Sequence, residues 1–217
     1  MIPQLIHQMG PRNLNAWPYI WVEGHKLIKQ TFKYYEHKLW YNDQIYPFIN
    51  KHYPQYNNLI KELPSITKCD FFRNVLMYHY GGLYFDLDFL VYKNFYNVLQ
   101  HNKPTIIEGM YKHTLNEQVQ NNFLASPPRD PVWIKVMNEV EENFKTIDRS
   151  DSWYNKVMKI SSSLFFTQYI KNHPHDFNYL PRVPYNLTKE ECKKMKEDDI
   201  PCRHLGTAVW LKARYDS

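Results

Sequence analysis

The chain has 217 residues, 43% of them hydrophobic and 23% charged, which suits one globular domain with a substantial core. No apolar run approaches the roughly 18 residues of a membrane span, and the opening MIPQLIHQMG has neither the basic nor the long apolar region of a signal peptide. The net charge of +5 is spread out, without the basic stripe of a nucleic-acid binder, and three cysteines (Cys69, Cys192, Cys202) are too few for a disulfide framework. A soluble protein of a reducing compartment such as the cytoplasm is therefore expected.

In chain order, Ile2–His7 reads as a first strand and Tyr19–Phe32 as a helix with apolar residues at helical spacing. Tyr35–Trp40 alternates as a second strand, and Asp43 is placed to cap a helix over about 44–52. The next helix starts at Pro64-Ser65, with Ser65 as its cap, and stops at Gly81-Gly82. LYFDLD follows as a strand, and VYKNF turns away from it. Thr105–Glu108 and Asn122–Ala125 are further strands, Pro131–Phe144 and Ser152–Ile170 helices, and a last strand lies near His204–Leu211. Alternating strands and helices predict an α/β fold with a mostly parallel central sheet flanked by helices, and a site at the strands' carboxyl ends. There is no GxGxxG and no GxxxxGK[ST], so any nucleotide phosphates must be neutralised by other means.

Asp86 and Asp88 carry the chemistry. On a strand they would share one face, with Phe85, Leu87 and Phe89 on the other. Carboxylates this close repel and resist ionisation unless a cation sits beside them. Removing one charge would then relieve the empty site. A hard divalent ion, Mn²⁺ or Mg²⁺, is the natural partner, and it would leave positions open for phosphate oxygens. The pair taken alone also fits a strand-end turn. It is not an EF-hand, whose loop glycine and terminal glutamate are missing, and no Cys/His spacing matches zinc. Asp70 and Arg73, three apart on the preceding helix, share a face: a surface ion pair, or two groups aimed at the same pocket.

Asp70-x-x-Arg73 followed by Tyr80-Gly81-Gly82-x-Tyr84-x-Asp86-x-Asp88 resembles the DxD-containing sugar-binding region of the glycosyltransferase 32 family. These are GT-A (Rossmann-like nucleotide-diphospho-sugar transferase) enzymes akin to yeast mannosyltransferases and related to the large clostridial glucosylating toxins. Ile2-Pro3-Gln4-Leu5-Ile6-His7-Gln8 is similar to the family's opening strand, and Leu39-Trp40-x-Asn42-Asp43 to its second. Asn122–Ala125 resembles a strand placed near the sugar. His204-Leu-Gly206-Thr207-Ala-Val-Trp210 resembles the terminal H…GSW element. Where the family often has Gly-Pro before its last long helix, this chain has Ser161-Ser162-Ser163.

The resemblance implies a single domain over 1–217, donor-binding over about 1–110 and acceptor-side with a closing element over about 111–217. It implies Asp86, Asp88 and His204 as metal ligands, with Asp88 the direct one and Asp86 reaching ribose or metal-bound water. It puts His7 and Gln8 by the base, and Asp70, Arg73, Tyr84, Asp86 and Asn122 on the donor, with Trp210 closing the pocket. Asp86, Asp88 and Arg73 would carry catalysis. The expected donor is a UDP-sugar, with GDP as the other nucleotide. The expected acceptor is a glycan or protein hydroxyl, and the resemblance implies retention of configuration, with inversion through a general base as the alternative. Two readings compete. A phosphoryl-transfer hydrolase would use Asp86 as nucleophile, but would prefer a small hydroxylated residue where Phe89 stands. A sugar-binding module would draw on the 17% aromatic content for stacking.

Overall fold

The structure, a computed structural model, describes residues 1–109 and 119–207. Its elements in chain order are β1 (Leu5–Gly10), α1 (Tyr19–Thr31), β2 (Glu36–Tyr41), α2 (Asn42–His52), α3 (Asn57–Glu62) and α4 (Ser65–His79). β3 (Gly82–Phe85), β4 (Phe89–Val91), β5 (Thr105–Glu108), β6 (Val119–Ser126), α5 (Val132–Thr146), α6 (Trp153–Ile160) and α7 (Ser163–Asn172) follow. The tail adds β7 (Asn178–Leu180), a helical turn α8 (Arg182–Tyr185), α9 (Lys189–Lys194) and β8 (Cys202–His204).

Among the described residues a six-stranded sheet runs β2-β1-β3-β6-β5-β7, and β4 and β8 form a separate ribbon. The β1/β2, β1/β3 and β5/β7 pairings are parallel; β6 runs against both β3 and β5. The sheet is thus mostly parallel and flanked by helices, as the alternating elements predicted.

The period of two along the strands divides the core. Leu83 and Phe85 of β3, with Phe123 and Ala125 of β6, pack on the α1 side against Ile28 and Phe32. Tyr84 and Leu124 face the other side, where Phe72 of α4, Trp133 of α5 and Phe166 of α7 meet. α4 is covered nearly all round, so its polar Asp70, Arg73 and Asn74 are buried with its apolar residues. Gly81 and Gly82 end α4 with φ of +65° and +92°. A Cβ on Gly82 would lie 2.4 Å from the Leu5 carbonyl oxygen, so only glycine lets α4 turn into β3 beside β1.

Several expected elements are corrected. The strand through LYFDLD stops at Phe85. Asp86, Leu87 and Asp88 form a turn closed by the Phe89 N–H donating to the Asp86 carbonyl (3.1 Å), after which β4 leaves the sheet. The two carboxylates therefore do not share a strand face. The helix over Ser152–Ile170 is two, broken where Ser161 is buried and Ser162 is extended (φ −99°, ψ −153°). The Ser161 hydroxyl donates to Asp70 (3.1 Å), a side-chain bond that competes with helix continuation. α2 is capped by Gln44, whose side chain accepts the Tyr41 N–H (2.8 Å), while Asp43 pairs with Arg12 at the surface. Ser65 is the first helical residue, not the cap. The last described strand is Cys202–His204; 208–211 lie outside the described residues. All three cysteines are free.

α1 holds the turn through Gly24. A Cβ there would stand 2.2 Å from the Leu87 carbonyl oxygen. Glycine to alanine inside a helix ordinarily gains up to about 1 kcal/mol. Here the sign is expected to reverse, because backbone must shift. Gly24→Ala should lower Tm by roughly 2–12 °C, equivalent to about 1–3 kcal/mol of overpacking. A Tm equal to or above the parent's in a thermal melt would contradict this close approach.

Candidate active site

Arg73 stands at the centre of the polar cluster beneath the sheet's carboxyl ends. One guanidinium nitrogen, Nη2, meets Asp70 Oδ1 at 2.9 Å. Nη1 donates to the Asn121 carbonyl (2.5 Å) and lies 3.3 Å from Asp86 Oδ1. The guanidinium carbon sits 4.8 Å from the Tyr84 ring centroid. The Arg73 and Asp70 side chains are only 6% and 5% exposed, so this is no surface ion pair. Buried charges persist only where paired and hydrogen-bonded. Asp70 meets that condition with Arg73, the Asn121 amide (3.2 Å) and the Ser161 hydroxyl on its other oxygen (3.1 Å). Burial nevertheless pushes Asp70 up to about 6.

Tyr84 Oη donates to Asp86 Oδ1 (2.9 Å). The Asp86 side chain is about a quarter exposed (26%); burial, and the Asp88 charge after it, raise its pKa. Asp88 behaves oppositely. Burial works against its charge, yet His204 and Thr207 hold it well below the usual carboxylate range. Thr207 donates twice to Oδ2, from its N–H (2.8 Å) and its hydroxyl (2.7 Å), and His204 Nε2 lies 3.2 Å from Oδ1. The expected mutual resistance to ionisation is therefore confined to Asp86. His204 arrives through the β4/β8 ribbon, in which it pairs with Phe89 and stacks on its ring.

One ligand atom from each of Asp86, Asp88 and His204 lies within 4.8 Å of the others. Two carboxylate oxygens and an imidazole nitrogen at that spacing fit a divalent cation such as Mn²⁺ or Mg²⁺.

These groups line a cavity of about 810 Å³. Of the residues singled out in the sequence, Asp70, Arg73, Tyr84, Asp86, Asp88, Asn122 and His204 border it. His7 and Gln8, expected by the base, are not among the residues that border it. His7 is fully buried within β1. The Trp40 indole N–H donates to its Nδ1 (3.0 Å), so Nε2 carries the proton and donates to the Gly81 carbonyl (3.0 Å). Burial lowers its pKa to about 4, leaving a neutral bridge between β2, β1 and the glycine turn. Gln8 is buried against His25, at 2.7 Å. The cavity opens beyond them, at Met9, Gly10 and Pro11, where the strand ends. Trp210 lies outside the described residues.

Asn121 was not singled out, and Ser161 and Thr207 were noted only within longer motifs with no contact expected of them, yet the three contact Asp70, Arg73 and Asp88. Asn121 touches Arg73 and Asp70 because β6 bulges. The partners of Ile106 and Ile107 jump from Leu124 to Gln120, which breaks strict alternation and lets both Asn121 and Asn122 border the cavity.

Residues 20–105 match the family described as "Glycosyltransferase sugar-binding region containing DXD motif". The mannosyl phosphorylinositol ceramide synthase CSH1 of Saccharomyces cerevisiae is 28% identical over 165 residues, covering 75% of this chain and 40% of its own length. The uncharacterized glycosyltransferase L373 of Acanthamoeba polyphaga mimivirus is 26% identical over 232 residues, covering 97% of this chain and 84% of its own. Among solved structures, the PaToxG glycosyltransferase superposes with a TM-score of 0.54 at 16% identity, over 79% of this chain and 69% of that one. The chain spans about 40% of the length of the yeast ceramide relatives it matches. With a matching DXD region over residues 20–105, glycosyltransferase relatives across most of its length and their fold, the chain is similar to the DXD-containing glycosyltransferases and has the GT-A fold.

Proposed function

We propose that the chain transfers a sugar from a nucleotide-diphosphate donor to a hydroxyl of a glycan or protein, with retention, using Mn²⁺ or Mg²⁺ held by Asp86, Asp88 and His204. The observation that carries this reading is the meeting of those three ligand atoms with Asp70 and Arg73 on one cavity. A UDP-sugar is the first donor expected. The yeast relatives' names refer to mannose and phosphorylinositol ceramide, which adds GDP-mannose to the donors to be tried.

Transfer breaks the bond between the anomeric carbon and a diphosphate oxygen and makes one to the acceptor oxygen. When bound, the cation would neutralise charge on the diphosphate. Arg73 adds a fixed positive charge beneath the same space. Asp70, with each oxygen already accepting a hydrogen bond, suits the positioning of sugar hydroxyls better than proton abstraction. The described carboxylates bordering the cavity are all engaged: Asp86 by Tyr84 and Arg73, Asp88 by His204 and Thr207. This favours attack from the face the diphosphate leaves, with a departing phosphate oxygen taking the acceptor's proton. The same engagement of Asp86 argues against its use as a phosphohydrolase nucleophile.

The test is thermal shift with UDP and GDP. Saturating nucleotide with Mn²⁺ should raise Tm by roughly 5–10 °C, against less than about 2 °C with a chelator. Equal shifts in both conditions would contradict a shared metal–nucleotide site.

A further inference from the structure

The break between α6 and α7 sets a fully buried serine, Ser161, against Asp70. Ser162 and Ser163 border the cavity, whereas Ser161 stands behind its lining. The Ser161 hydroxyl donates to Asp70 Oδ2 (3.1 Å), and the Ser161 carbonyl accepts from Asn121 Nδ2 (3.4 Å). The same Nδ2 donates to Asp70 Oδ1 (3.2 Å), the oxygen that also meets Arg73 Nη2 (2.9 Å). Ser161 thus reaches both carboxylate oxygens, Oδ2 directly and Oδ1 through the amide it orients.

The two oxygens differ in what they still offer. A carboxylate oxygen has about two lone-pair sites. Oδ1 fills both, with Arg73 and Asn121, while Oδ2 accepts only from Ser161 among the described residues. With a cation on Asp86, Asp88 and His204, Asp70 is the one carboxylate of the described lining outside that ligand set. An ionised carboxylate only accepts, so its partner must bring a proton: a hydroxyl, not a phosphate oxygen. The terminal torsion of an aspartate is broad. The hydroxyl of Ser161, on the oxygen that has a site left, therefore fixes where that site points.

Resting on the glycosyltransferase reading above, we propose that Ser161 is a positioning residue that aims Asp70 Oδ2 at a hydroxyl of the donor sugar. Asp70 makes the contact, and Ser161 acts through it. A nucleotide without its sugar does not use this contact.

The experiment sets Mn²⁺-dependent binding of free UDP or GDP beside kcat/KM for nucleotide release from UDP-glucose, UDP-galactose and GDP-mannose. Ser161→Ala should leave the nucleotide Kd within about twofold. It should lower kcat/KM for the cleaved donor by about tenfold or more, the range for a hydrogen bond to a charged group. Ser161→Thr and Ser161→Val add similar bulk and differ in the hydroxyl. The Ser161→Thr variant should therefore exceed the Ser161→Val variant by about tenfold in kcat/KM, whatever the added bulk costs both. An unchanged kcat/KM in Ser161→Ala overturns the proposal while nucleotide release by wild type stands. So does an equal loss in nucleotide affinity and in kcat/KM, the mark of a merely structural role, or equal kcat/KM in the Ser161→Thr and Ser161→Val variants. Absence of nucleotide release from every donor in wild type overturns the glycosyltransferase reading itself, and the proposal with it.

Discussion

Asp88→Asn is expected to lower sugar transfer by about a thousandfold and to remove the Mn²⁺ dependence of nucleotide binding. The substitution keeps shape but takes away the charge a hard cation requires, and about 4 kcal/mol of transition-state stabilisation corresponds to that loss. The empty protein should also be less stable. Repulsion between neighbouring carboxylates argues for a gain, but the geometry argues against it. Asp88 accepts two hydrogen bonds from Thr207 and one from His204, and these hold it ionised despite burial. A carboxamide accepts weakly through one oxygen and presents an N–H₂ group to donors on the other. A destabilisation of about 1–3 kcal/mol is expected, read as a lower urea midpoint without metal. A midpoint above the parent's would show that repulsion dominates.

Arg73→Lys is expected to cost transfer at least about a hundredfold although the charge is kept. The guanidinium meets Asp70 through Nη2, and Asp86 and the Asn121 carbonyl through Nη1, as a planar fork. An ammonium is a single point and cannot satisfy both ends. Leaving buried Asp70 without its partner should also lower stability by about 3 kcal/mol, toward the low end for a broken buried pair. Folding persists, because the surrounding apolar residues of α4 are untouched. Denaturation and transfer assays on the same preparation measure both effects. A variant with the parent's rate and midpoint would reduce Arg73 to an incidental ion-pair partner.

Much of the site was legible because it lies on regular elements. The i, i+3 spacing of Asp70 and Arg73 on α4 predicts a shared face, and the glycine pair predicts the reversal that lays β3 beside that helix. What was not legible arises where regular periods fail. The Asp86–Asp88 segment reads as a strand by alternation, yet it turns at Leu87, which drops against Gly24 of α1, a contact some sixty residues away in sequence. The bulge in β6 gives Asn121 its contacts with Arg73 and Asp70, and nothing in NNFLA announces the shift in register. The break at Ser161 depends on a hydroxyl reaching Asp70, ninety-one positions earlier. His7 was legible as polar but not as interior. Its partners, Trp40 and the Gly81 carbonyl, come from a neighbouring strand and a distant turn.

The most direct measurement of the central claim, a cation site on Asp86, Asp88 and His204 shared with the donor diphosphate, is calorimetric titration of nucleotide-sugar with Mn²⁺. UDP-glucose, UDP-galactose and GDP-mannose would be titrated into wild type and Asp88→Asn. Wild type should bind at least one of them only when Mn²⁺ is present, and Asp88→Asn should bind none. Mn²⁺-dependent binding that survives in Asp88→Asn, or wild-type binding indifferent to a chelator, would contradict the account.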